Sequence, residues 1–164
     1  MHGDDSAEVR EEFNKASGSV RFVSILSPTC PMCVKGHGVV REIFEDVKSD
    51  KLKGFLVWLP MKANDNARTA FTEARSWKDP RVLAEGWDSE REVGNQFSKT
   101  LKLRGSAWDV YLVYKPGVRW EGDLPPAPTF WMHQLRADVG ADQKQCLNAS
   151  RLKKEIRKIL ASPS

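Results

Sequence analysis

The chain has 164 residues, 40% hydrophobic and 29% charged, with a formal charge of +4. That length supports one core without disulfide staples, and three cysteines are too few for a disulfide scaffold. No apolar run approaches the ~20 residues that cross a bilayer. Acids interleave with the bases, so the mild charge predicts solubility rather than a nucleic-acid footprint.

In the polar stretch 1–18, Val9 and Phe13 recur at helical spacing within Ala7 to Ala16. This predicts a short docking helix, ended by Ser17-Gly18, ahead of a single domain over 19–164. No basic-then-apolar leader opens the chain, which as it stands reads as cytoplasmic. If Met1-His2-Gly3 replaces a removed signal peptide, the protein is periplasmic or exported.

Val20 to Leu26 alternates and is β-branched enough to predict a strand. Val39, Val40, Ile43, Phe44 and Val47 draw one apolar stripe down a helix over 34–47. Between them lies Ser27-Pro28-Thr29-Cys30-Pro31-Met32-Cys33, where a strand hands over to a helix. Pro31 suits the first turn, whose N–H has no helical partner. That turn also carries free N–H groups and the positive end of the macrodipole, which favour anionic sulfur. Cys30, at the open end, is therefore expected to attack, and Cys33, one turn inside, to resolve the mixed disulfide. Gly36 and Gly38 flank His37 at about 1 kcal/mol each relative to alanine. A close approach of backbone or a kink would account for them.

Phe55 to Pro60 is a continuous apolar run, as expected of a strand covered on both faces. Asn64 or Asp65 is read as capping a helix to about Ser76, with Ala67, Ala70, Phe71 and Ala74 inward. Arg81 to Glu85 is a short strand. Ser89-x-x-Glu92 reads as a capping box opening a helix that carries Val93, Phe97 and Leu101. Trp108 to Tyr114 is the clearest remaining strand, Lys115-Pro116-Gly117 a turn, and Val118-Arg119-Trp120 the start of its return. Leu124 to Pro128 must be extended, and Phe130 to Leu135 is too short to classify. A last helix over 149–161 has one apolar and one basic face.

Strand, Cys-Pro-x-Cys and long helix resemble the thioredoxin-like superfamily. The extra strand–helix pair before the hairpin is similar to its TlpA-like and peroxiredoxin-like branch, over roughly residues 19 to 121. The resemblance implies an α/β fold with a central mixed sheet flanked by helices. It also implies thiol–disulfide chemistry, with a thiol- or disulfide-bearing protein or small molecule as substrate and a separate redox partner. No organic cofactor, nucleic acid or membrane span is implied. The superfamily places a cis-proline just before the strand assigned here to 109–115. This chain has Ser106-Ala107-Trp108-Asp109 there, so either the register or the substrate groove differs.

Thr29, Pro31, Met32, Trp108 and Asp109 are expected to shape the site, with Asp109 as a proton acceptor for Cys33. Trp131 is placed near the cysteines as well. Lys35, His37 and His133 are candidates for the surrounding shell, and Cys146 is read as an incidental thiol. Two alternatives use the same residues: a soft-metal carrier binding through Cys30 and Cys33, and a binding module whose redox function is lost.

Overall fold

The computed structural model describes residues 6–162, and Met1-His2-Gly3 lies outside them. Strand β1 (Val20–Leu26) is buried along its whole length. It pairs in parallel with β2 (Leu52–Trp58), which pairs in parallel with β3 (Val82–Trp87). On its other side β4 (Val110–Tyr114) runs antiparallel to β1, and β5 (Phe130–His133) antiparallel to β4. The sheet order is β3-β2-β1-β4-β5.

Alternation along β1 divides the core. Val23 and Ile25 join the side chains of α1 (Ser6–Lys15) and α4 (Glu92–Leu101) on one face. Phe22 and Leu26 join those of α2 (Pro31–Asp46), α3 (Ala67–Ala74) and α5 (Ala149–Ala161) on the other. Lys153 of α5 reaches Glu42 and Asp46 of α2 at 2.9 Å each. Arg81 donates to the carbonyls of Phe44, Val47 and Ser49, closing the negative end of α2. No helix among the described residues is long and apolar enough to cross a membrane.

Several local expectations are corrected. The return strand is β5, not Val118 to Trp120. The 118–120 segment instead docks on α1, where Asn14 accepts from the Trp120 N–H and donates to its carbonyl. Trp120 is buried against Phe13 and Phe97. The cap of α3 is Asn66, through a reciprocal pair with Thr69, and Phe71 is exposed beneath the Arg75 guanidinium. The expected Ser89 capping box is absent. Arg91 takes the N-cap position in a left-handed conformation, while Asp88 accepts from the N–H groups of Glu92 and Gly94.

Arg21 is an unexpected occupant of a buried strand. Its guanidinium stacks 4.2 Å over the Phe13 ring and donates to four carbonyls, those of Ser19, Phe13, Val118 and Lys115. Burial pushes it down to about 10, so it remains cationic at neutral pH. It fastens α1 and the β4–β5 connection to β1. Arg21→Met should therefore cost about 3 kcal/mol by leaving buried acceptors unpaired. Urea unfolding should show a lower midpoint at unchanged slope, and Arg21→Lys should recover only part of the loss because one ammonium cannot span four acceptors.

Candidate functional site

The site grows from the end of β1. Residues 27–29 leave the strand in a turn, and Asp65, in the β2–α3 loop, fastens it. Its Oδ1 accepts from the Thr29 N–H at 3.0 Å and the Thr29 hydroxyl at 2.7 Å. Its Oδ2 accepts from the Ser27 hydroxyl at 2.6 Å and from the N–H groups of Met61 and Lys62 at 2.9 and 2.7 Å. Burial opposes the charged form, but these donors outweigh it and hold the carboxyl below the ordinary aspartate range.

Cys30 is the N-cap of α2, with extended backbone and no side-chain capping bond, and Pro31 opens the helix. Cys30 is 6% exposed and Cys33 0%, while Met32 between them is 48% exposed. The Cys30 thiol and the Asp109 carboxyl are both neighbours of the Cys33 thiol. Burial, then the Asp109 charge, push the Cys33 thiol well up.

Asp109 immediately precedes β4 and takes a left-handed conformation, φ 57°. Its N–H donates to the Ile25 carbonyl at 2.6 Å, and its own carbonyl accepts from the Gln134 N–H at 3.0 Å. Its Oδ1 accepts from the Tyr111 hydroxyl at 2.6 Å and the Gln134 amide at 2.8 Å. The same Gln134 amide donates to the Met32 carbonyl at 2.7 Å, bridging the cysteine turn to the acid. Burial raises the Asp109 carboxyl above the ordinary range against the opposing pull of these donors.

Thr29, Pro31 and Met32 flank the cysteines along the chain, and Asp109 neighbours Cys33 from the start of β4. Trp108 is half-buried, packs against both core faces and lies 5.4 Å beneath the Lys62 ammonium. Trp131 packs into the opposite core face. Lys35 is exposed. His37 is buried, but its Nδ1 meets Glu73 of α3 at 2.9 Å, and its ring centroid lies 4.8 Å from that of Trp58 and 5.3 Å from that of Trp77. Burial holds it below the ordinary histidine range. His133 accepts from the Leu135 N–H at Nδ1 and meets the Asp142 carbonyl at Nε2, 2.7 Å away. Cys146 is exposed, its backbone bridged to His133.

Sequence reading missed Asp65, Tyr111 and Gln134. The one available signal was Gly36. A Cβ there would lie 1.6 Å from the Tyr111 hydroxyl oxygen and 2.6 Å from its Cζ, so the glycine admits a side chain rather than another backbone. Gly38 faces open space.

No protein-family model matches the chain, and no curated protein sequence does either. Solved structures do match. A thioredoxin-like superfamily protein aligns with TM-score 0.56 at 14% identity, covering 96% of this chain and 86% of that one. A putative thiol:disulfide interchange protein DsbE from Chlorobium tepidum aligns with TM-score 0.53 at 14% identity, covering 90% and 84%. A secreted Mycobacterium tuberculosis disulfide oxidoreductase homologous to Escherichia coli DsbE aligns with TM-score 0.51 at 7% identity, covering 88% and 84%. The chain has the thioredoxin-like fold, a mixed five-stranded sheet flanked by five helices, with Cys30 and Cys33 in the CxxC spacing.

The two glycines of α2 should respond oppositely to alanine. Gly36→Ala should expel the Tyr111 phenol from the helix and cost about 2 kcal/mol despite the gain in helix propensity. Gly38→Ala should stabilise by about 0.5–1 kcal/mol. Equilibrium denaturation of the two variants tests both signs.

Proposed function

We propose that the chain is a thiol–disulfide oxidoreductase in which Cys30 attacks and Cys33 resolves. The observation that carries this reading is a buried thiol, Cys33, one helical turn behind Cys30 and neighbouring a buried carboxyl, Asp109. A resolving thiol must lose its proton, and water has little access here. In the reducing direction, the Cys30 thiolate at the first turn of α2 attacks a substrate disulfide. One substrate sulfur leaves as thiolate, and a mixed disulfide forms. Asp109 takes the Cys33 proton, and the Cys33 sulfur attacks Cys30. The Cys30–Cys33 disulfide closes, and the second substrate sulfur departs and takes up the proton. The substrate gains two electrons and the pair loses them. The reverse sequence oxidises a dithiol, and the potential of the pair decides the direction.

The substrate class is a disulfide- or thiol-bearing protein or small molecule, with a second redox partner resetting the pair. An exported setting accords with the described secretion of the Mycobacterium tuberculosis protein. The rival soft-metal reading draws on the same two thiols. Among the described residues no group of three or more His, Cys, Asp or Glu side chains is arranged to hold an ion.

Cys33→Ser should trap a Cys30 mixed disulfide with a model disulfide. Asp109→Asn should slow resolution in the otherwise unchanged chain about 100-fold, within the range of general-base contributions. Because the Asp109 carboxyl titrates above the ordinary range, the wild-type resolution rate should fall as acidification protonates it. Asp109→Asn should lose that limb of the profile. Rapid-quench measurement of mixed-disulfide decay against pH decides the matter, and an unaltered rate and profile in Asp109→Asn would remove the acid from the mechanism.

A further inference from the structure

We infer that Asp65 is a positioning residue for Cys30, its carboxylate fixing the loop that presents the nucleophile to Cys33. The inference rests on the proposed roles of the two cysteines. Between the last residue of β1 and Cys30 the chain forms only a turn at Pro28 and Thr29, outside the strand ladder. Pro28 and Pro31 have no backbone N–H to donate. One side chain makes most of the side-chain hydrogen bonds to this segment. Asp65 collects Ser27 and Thr29 from this loop and Met61 and Lys62 from the next.

The carboxylate is not needed to start α3, since Asn66 and Thr69 cap that helix reciprocally. Nor does it answer a cation, because the adjacent Lys62 ammonium lies over the Trp108 ring. All five of its donors are neutral, two hydroxyls and three backbone amides. A carboxylate offers about four lone-pair sites on two oxygens. Asparagine offers one oxygen, and its amide would confront donors on the other side. The charge is kept for its acceptor capacity, and the loop on which Cys30 rides is what it orders.

Loop order sets how often Cys33 meets Cys30, so it sets the effective concentration of the pair. The test is equilibration of the full chain carrying Cys146→Ser with reduced and oxidised glutathione, with the Cys30–Cys33 disulfide quantified. Asp65→Asn should lower the equilibrium constant for the internal disulfide about ten-fold. Asn66→Ala, which removes the α3 cap and leaves the Asp65 donors in place, should stay within about two-fold while losing thermal stability. Equal constants for Asp65→Asn and the parent, or an equal fall in Asn66→Ala, would overturn the assignment. Should Asp65→Asn fail to fold, Thr29→Val deletes only one donor. It should lower the constant about three-fold, and an unchanged constant would overturn the inference. A parent chain that forms no internal disulfide would instead sink the thiol–disulfide reading itself.

Discussion

Burial of β1 on both faces constrains everything around it. A strand with no solvent face must satisfy each polar atom it carries from within the protein. This one carries Arg21 and Ser24, and Ser27 follows at its end. Arg21 draws carbonyls from α1 and the β4–β5 connection. Ser24 donates to the Val110 carbonyl at 3.0 Å. Ser27 donates to Asp65. Each bond ties β1 to a different, distant segment. The α1 helix, the β4 register and the β2–α3 loop are thereby located relative to the cysteines that follow the strand.

The same demand organises the site. Asp109 is 2% exposed, and a carboxylate there without donors would be costly. Tyr111 and Gln134 supply them, and the phenol can arrive only because Gly36 leaves room in α2. The donors lower the carboxyl while burial raises it, and burial wins. The result is a group with proton affinity above an ordinary aspartate, placed beside the thiol most in need of a base.

Elements with a short-range signature were legible in the sequence. The β1 alternation, the apolar stripe of α2 and the cysteine spacing are all local, and they locate the strand-to-helix junction correctly. The return strand β5 was not, because its four residues carry no alternation and follow a long proline-rich connection. Val118 to Trp120 attracted the assignment by standing next to a turn. Helix caps were legible to within a residue or two. Asp65 was read, with Asn64, as a candidate cap because its partners Ser27 and Thr29 lie 38 and 36 residues earlier. Gln134 meets Met32 across 102 residues, a relation without periodicity. Gly36 stood out as unfavourable in a helix, yet only the fold identifies Tyr111 as the reason.

The residue before β4 shows how one substitution can change two things together. The superfamily it resembles has a cis-proline there, which this chain lacks, and β4 begins at Val110, so Asp109 stands in that place. Proline could not stand in for it as the chain now runs. Its ring fixes φ near −65°, whereas Asp109 has φ 57° and uses its N–H on Ile25. Aspartate tolerates the left-handed region better than most residues, and it brings a carboxylate to the Cys33 side of the sheet end. In the proposed mechanism the wall facing the cysteines therefore carries a proton acceptor.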